Sequence, residues 1–169
     1  MGKYETPDYE VHLKEKDCEI RRYTDFYVVE YENLDDHDLR SGFGTLFKYI
    51  SSDNQADQKI PMTVPVIKEE TTGTQRMAFV VPKKFRGQIP EPNSPNLKIQ
   101  KFDEGLFAAI RYTGRTSESK ELKMKRRLAR WLQVKGYEQQ SDFMQAFFSG
   151  PFTPPMLKHN EIWVRVSKS

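Results

Sequence analysis

The sequence has little of what disulfide-bonded, metal-binding or membrane-spanning proteins need. It contains one cysteine, Cys18, so no internal disulfide can form, and its three histidines show no metal-ligand spacing. No apolar run approaches the roughly 20 residues of a membrane-spanning helix. The first ten residues are polar and acidic, without the apolar segment of a secretory leader. We therefore expect a cytoplasmic protein without a metal site or an integral membrane association.

Strong charge and catalytic motifs are also lacking. The net charge is only +3, whereas nucleic-acid-binding proteins usually carry a clustered basic surface, so no nucleic-acid partner is expected. A basic run at 120–130 favours the solvated outer face of a helix, with an anionic partner such as a membrane surface or nucleic acid as the alternative. The sequence has no nucleophile elbow, phosphate-binding glycine loop or paired-histidine motif, so we expect a protein that is not an enzyme.

Short β-branched and aromatic runs predict about eight strands. These lie at 9–13, 18–23, 26–31, 76–81, 97–102, 106–112, 143–148 and 162–166. A further run, 59–67, contains Pro61 and Pro65, and this composition indicates an edge or bulged strand.

Two helices are predicted from the 3.6-residue apolar period. The first covers about 38–50, and its stripe consists of Leu39, Phe43, Leu46, Phe47 and Ile50. The second runs from an N-cap at Ser117 to about Val134, and Gly136 is placed to end it.

The segments 18–31 and 97–112 follow one plan. Each consists of a strand, a turn containing aspartate and an aromatic strand, at an offset of about 80 residues. We therefore expect one domain over 1–169 with internal halves of about 9–88 and 97–167. Two such units would form a curved barrel with one helix packed on each half.

Several motifs, taken in order, resemble the SOUL haem-binding protein family along nearly the whole chain. The most specific are Lys59-Ile60-Pro61-Met62-Thr63-Val64-Pro65-Val66 and the final Asn160-Glu161-Ile162-Trp163. The supporting segments are 9–11, 18–23, 43–50 and 151–156. The resemblance implies an α+β fold: a distorted eight-stranded antiparallel barrel with two helices and two pseudo-symmetric halves, similar to gyrase-inhibitor-like effector-binding domains. It also implies non-catalytic binding of haem or another porphyrin in a shallow apolar groove, for transport, buffering or sensing.

The resemblance further implies which residues line that groove. Those on the first helix are Arg40, Phe43, Leu46, Phe47 and Lys48, and those in the loop before the last strand are Phe152, Pro154, Met156 and Lys158. Apolar side chains suit the porphyrin faces, and basic ones suit the propionates. One departure concerns the iron. Some family members use a histidine as its axial ligand, and Arg22 stands at that position here, where arginine has no lone pair to donate.

Two further residues carry open alternatives. His159 is a candidate replacement axial ligand or an ordinary loop residue. Glu161 is a candidate pocket carboxylate or a structural group that bonds backbone or arginine. The competing functions are sequestration of other amphipathic, cationic compounds through Glu161, and an enzyme on the same scaffold.

Overall fold

The computed structural model describes residues 4–35, 39, 41–71, 73–150 and 153–169. In these ranges the chain forms ten strands and two α-helices. In chain order they are β1 Tyr9–Glu15, β2 Cys18–Tyr23, β3 Phe26–Glu32, α1 Gly42–Ser51, β4 Val66–Thr71, β5 Thr74–Val80, β6 Leu97–Phe102, β7 Gly105–Thr113, α2 Glu118–Lys135, β8 Tyr137–Gln139, β9 Met144–Phe147 and β10 His159–Lys168. The paired strands run antiparallel, and the α+β class is confirmed.

The chain divides into two compact units that differ from the consecutive halves expected from the sequence. Unit 1 consists of Met1–Pro7 with Asp25–Asp103, and unit 2 of Asp8–Thr24 with Glu104–Ser169. The difference arises because the strands of one repeated segment, 18–31, pair with strands of the other, 97–112, and not with each other. In unit 2, β2 pairs with β7, and in unit 1, β3 pairs with β6.

Unit 1 is a four-stranded sheet in the order β4-β5-β3-β6, with α1 packed on β3 and β5. Apolar side chains from the helix and the sheet form one buried cluster. Its members include Val29, Tyr31, Leu46, Tyr49, Ile50, Phe79 and Leu97. The helix therefore buries only one side against the sheet and leaves the other side open.

The predicted edge strand at 59–67 is wrong. Residues 59–65 pair in no ladder apart from a single bridge between Thr63 and Glu5, and β4 begins only at Val66. The physical reason is that Pro61 and Pro65 have no N–H to donate to a neighbouring strand. The side chain of Thr63 instead donates to the carbonyl of Val80 at 2.6 Å.

Unit 2 is a sheet in the order β1-β2-β7-β10-β9, and β8 pairs with the end of β10. One face of this sheet packs on α2. The buried cluster includes Cys18, Ile20, Ala108, Ile110, Met124, Leu128, Leu132, Ile162 and Val164. Both predicted ends of α2 are confirmed: the side chain of Ser117 accepts from the backbone N–H of Lys120, and Gly136 has a φ of +79°.

Candidate ligand-binding site

The helix α1 exposes two large aromatic side chains. The sequence pattern placed Phe43 and Phe47 in the same stripe as Leu46, but Leu46 is fully buried, whereas Phe43 and Phe47 are 45% and 52% exposed. Tyr49 takes a buried position instead, and its hydroxyl donates to the carbonyl of Pro90 at 2.6 Å. The stripe that packs on the sheet is thus rotated away from the two phenylalanines.

These two rings form what we call the aromatic face, made of Phe43, Gly44 and Phe47. The ring planes lie within 12° of parallel, with centroids 6.2 Å apart. The rings of Phe43 and Phe79 pack edge to face, with their centroids 5.4 Å apart. A Cβ at Gly44 would meet no atom of the described residues within 4 Å, so these residues leave open space beside Gly44. A flat, uncovered aromatic surface of this kind is suited to a planar ligand.

The other first-helix residues expected at the ligand differ in position. Lys48 follows Phe47 on α1 and is exposed. Leu46 has 0% exposure and belongs to the core of unit 1, so its expected ligand contact is not available in this structure. Arg40 lies outside the described residues.

Unit 2 carries a separate set of exposed apolar side chains at the 3-10 turn Pro155–Leu157. Met156 is 78% exposed and Leu157 is 66% exposed, and Pro154 before them is also exposed. Lys158 is half-buried, and its carbonyl accepts from the backbone N–H of Gly114 at 3.0 Å. Phe152 lies outside the described residues. Leu157 was not among the residues expected at the ligand, although it is exposed beside Met156.

The unit 2 sheet has a second face, opposite α2, that carries a buried charged cluster. Both guanidinium nitrogens Nη1 and Nη2 of Arg21 donate to the carboxylate of Glu161, at 2.7 and 3.0 Å. Trp163 Nε1 donates to the same carboxylate at 2.7 Å, and Arg21 also donates to the hydroxyl of Tyr23 at 2.9 Å. Arg21 and Glu161 are only 4% and 3% exposed. The cluster is therefore a buried ion pair held by several further hydrogen bonds.

Aromatic rings surround this ion pair. The guanidinium of Arg21 lies 4.5 Å from the ring centroid of Tyr9. The ring centroid of Tyr23 lies 5.0 Å from that of Trp163 and 5.1 Å from that of Phe107, and the Phe107 contact is edge to face. A cation between a carboxylate and aromatic faces is a favourable arrangement, and here the cation belongs to the chain itself.

Both members of the pair are held in their charged forms. Burial by itself would raise the pKa of Glu161, but hydrogen bonds from His159 and Arg21, with the positive charge of Arg21, lower it to about 2. Burial likewise disfavours the guanidinium, yet its hydrogen bond to Glu161 raises the pKa of Arg21. Glu161 therefore has a counter-charge without any ligand.

Both ring nitrogens of His159 have a polar partner. Its Nε2 lies 3.0 Å from the Glu161 carboxylate, and because a carboxylate only accepts, Nε2 carries the hydrogen. The remaining lone pair on Nδ1 faces Arg111 Nη2 at 3.5 Å. The ring also stacks on Phe148 with centroids 4.5 Å apart. Coordination of iron by His159 would have to displace Arg111 from Nδ1.

Arg21 is the residue that sequence reasoning missed in this cluster. Its neighbour Arg22, at the position where some family members have a histidine, is exposed and pairs with Glu104 at 3.1 Å. The sequence of β2 does not predict that Arg21 is buried, because Glu19 and Arg21 alternate with Cys18 and Ile20 as in a strand with one solvated face. Within the ranges that the structure describes, no group of His, Cys, Asp and Glu is arranged to hold a metal ion. In those same ranges, neither helix is long and apolar enough to cross a membrane.

Comparison with known proteins gives a curated relative and several similar solved structures, two of which are described here. Heme-binding protein 1 of Mus musculus is 23% identical over 165 residues, which covers 92% of this chain and 84% of that protein. The EcmrR C-terminal domain matches with a TM-score of 0.65 at 12% identity, over 95% of this chain and 99% of that one. A protein from Listeria innocua described as a hydrolase matches with a TM-score of 0.59 at 12% identity, over 92% of this chain and 94% of that one.

At these identities the two structures show a shared fold of the effector-binding type and nothing about activity. The family model described as "SOUL heme-binding protein" matches residues 4–165, which is nearly the whole length. On that match, the chain belongs to the SOUL haem-binding protein family.

Proposed function

We propose that this protein binds haem or another tetrapyrrole without catalysis, and that its aromatic face contacts the ring system. The observation that carries the proposal is the pair of nearly parallel, half-exposed rings of Phe43 and Phe47 beside the bare Gly44. Two large aromatic side chains exposed side by side on the open face of α1 favour a planar apolar ligand.

The polar groups of a porphyrin suit the surroundings of this face. A tetrapyrrole such as haem carries propionates, which need a cation at the edge of the apolar contact. Lys48 is exposed one residue after Phe47, so we propose that it pairs with a propionate. An ion pair in such an exposed place contributes at most about 1 kcal/mol, so the ring contacts supply most of the affinity.

We propose that the protein does not coordinate the iron. Arg22 at the family's histidine position cannot donate a lone pair, and both nitrogens of His159 already have partners. Metal-free protoporphyrin should then bind as well as haemin. A carrier or buffer that releases its ligand readily is the role that fits binding without ligation.

Sequestration of cationic compounds through Glu161 has less support. Arg21 already neutralises that carboxylate within hydrogen-bonding distance, so a cationic ligand would have to displace a bonded guanidinium. An enzymatic role would need a reactive group, and the pKa of Glu161, lowered to about 2, makes it a poor proton donor or acceptor near neutral pH.

Spectral titration with haemin and with protoporphyrin tests the proposal. We expect saturable one-to-one binding of both ligands, weakened about tenfold or more in Phe47→Glu. The matched control is Leu122→Glu, which changes an apolar side chain of similar exposure, 48%, on α2. Absence of saturable binding, or equal effects of the two variants, would refute the aromatic face as the ligand site.

Two further variants refine this experiment. Met156→Glu tests the exposed set of unit 2 by itself, and weaker binding would add that set to the ligand contacts. His159→Phe tests ligation, and we expect the same haemin spectrum as in the unaltered protein. A Soret shift that is present with haemin and lost in His159→Phe would show axial coordination by His159.

A further inference from the structure

We propose that unit 2 contains a second ligand site, a cleft that binds a phosphate-bearing amphipathic molecule. The cleft lies between the turn that joins β1 to β2 and the C-terminal half of α2, with a volume of about 610 Å³. Its lining includes Lys16, Arg130, Trp131 and Val134, none of which belongs to the aromatic face. This site is independent of tetrapyrrole binding.

The acidic side chains at this cleft are already neutralised. Glu15 accepts from Trp131 Nε1 at 2.9 Å and from Lys135 Nζ at 2.6 Å. Asp17 lies 3.7 Å from Arg127 Nη2. Each acidic group thus has a basic partner of its own, although Glu15 also attracts Lys16 through space. The bonds to Glu15 hold the indole ring of Trp131 in the wall.

Two cations at the cleft remain available. Lys16 and Arg130 have no ion-pair or hydrogen-bond partner among the described residues for their side chains. The helix beside them is basic, because α2 carries seven basic and two acidic residues, a charge of +5 where the whole chain has +3. Arginine and lysine together are a usual pair for recognising phosphate oxygens.

The backbone holds Lys16 in an unusual conformation. Its φ of 52° is in the left-handed region, where glycine or asparagine is preferred and a lysine is strained. A lysine at this turn position costs stability and gives a cation to the cleft. The two-residue turn between Glu15 and Cys18 requires a residue of positive φ, and a lysine in that position brings a cation to the cleft.

The apolar part of the wall defines the rest of the ligand. Trp131 is half-buried, and Val134 is 76% exposed, so the wall presents an indole and an uncovered aliphatic side chain beside the two cations. A phosphate attached to an aromatic or aliphatic body would satisfy both parts. Two sources offer this chemistry, a soluble phosphate ester and the headgroup of an anionic phospholipid.

Intrinsic fluorescence can measure this binding. Trp163 has 0% exposure, so a change caused by a ligand in solvent should come from Trp131. We expect phenyl phosphate to change the emission saturably, phenol to do so far more weakly, and Trp131→Phe to abolish the change. Vesicles of phosphatidylglycerol, compared with phosphatidylcholine, test the lipid source in a parallel sedimentation assay.

Matched variants locate the site. Arg130→Gln should weaken binding about tenfold, whereas Arg126→Gln, which removes the same charge from the same helix but does not line this cleft, should change it less than twofold. Lys16→Gly should weaken binding while it raises the melting temperature. Haemin affinity should be unchanged in all three variants, so failure here is separate from failure of the tetrapyrrole proposal.

Each outcome bears on the proposal. Binding of phenyl phosphate alone, with sensitivity to Arg130, supports it with a soluble ester as the ligand. Binding of phosphatidylglycerol vesicles alone, with the same sensitivity, supports it with a lipid headgroup. No binding of either probe, equal binding of phenol, or equal effects of Arg130→Gln and Arg126→Gln would overturn it.

Discussion

Arg21 and Glu161, which are 140 residues apart in the chain, form a buried bidentate ion pair with N–O distances of 2.7 and 3.0 Å on the second face of the unit 2 sheet. Trp163, His159, Tyr23 and Glu19 complete its hydrogen bonds. The pair joins β2 to β10 across the intervening β7. A buried ion pair of this kind affects the free energy of unfolding strongly when one partner is removed and the other is left uncompensated.

Removal of one partner of this pair should destabilise the protein strongly. Arg21→Met leaves a buried carboxylate without its main counter-charge, and we expect a loss of roughly 3–5 kcal/mol in the free energy of unfolding. Urea denaturation measures this loss. The control is the neighbouring Arg22→Met, whose exposed pair with Glu104 should cost less than about 1 kcal/mol. Similar losses in both variants would contradict a dry, tightly bonded pair.

The same pair predicts how stability depends on pH. The pKa of Glu161 falls from its ordinary 4.5 to about 2 in the folded protein, so its contribution is complete above pH 4.5 and is lost as the pH falls toward 2. The contribution is on the order of 3 kcal/mol. Urea denaturation at a series of pH values should show this fall in the unaltered protein and a shallower one in Glu161→Gln. Identical slopes would show that Glu161 is not the group responsible.

The two glycines of α1 should respond oppositely to alanine. Gly44→Ala meets no atom within 4 Å and should raise the free energy of unfolding by about 0.5–1 kcal/mol through helix propensity. Gly42→Ala would place its Cβ 3.1 Å from the ring of Tyr31, which is buried, so we expect a net loss of stability. Thermal denaturation compares the two, and a gain at position 42 would show that Tyr31 can move aside.

Cys18 should be unreactive in the folded protein. Burial against α2 raises the pKa of its thiol to about 11, so little thiolate exists at pH 8. A colorimetric thiol reagent should label it slowly in native buffer and rapidly in urea. Fast labelling of the folded protein would indicate that unit 2 opens near the start of β2.

The elements that carry their own local signals were predictable from sequence. The helix α2 was placed within one or two residues, because Ser117 and Gly136 fix its ends by contacts with adjacent backbone. The strand predicted at 59–67 was wrong because the prediction gave more weight to the β-branched residues than to the missing N–H groups of Pro61 and Pro65. The three-residue β8 was too short to leave a pattern.

The candidate sites depended on information that local sequence does not carry. The stripe on α1 identified its apolar residues, but only packing against β3 and β5 decided that Leu46 and Tyr49 go inward while Phe43 and Phe47 stay out. The role of Arg21 depends on a partner in the last strand. No periodicity within β2 reveals that its second face is buried.

The exchange of strands between the two repeated segments sets an order of events during synthesis. The contiguous stretch Asp25–Asp103 supplies nearly all of unit 1, so this unit can fold while the rest of the chain is still being translated. The hairpin of β1 and β2 leaves the ribosome first, yet its partner β7 begins only at Gly105, and β10 comes later still. The strands β1 and β2 must therefore wait for partners made much later, and Arg21 stays exposed to water until Glu161 has been added.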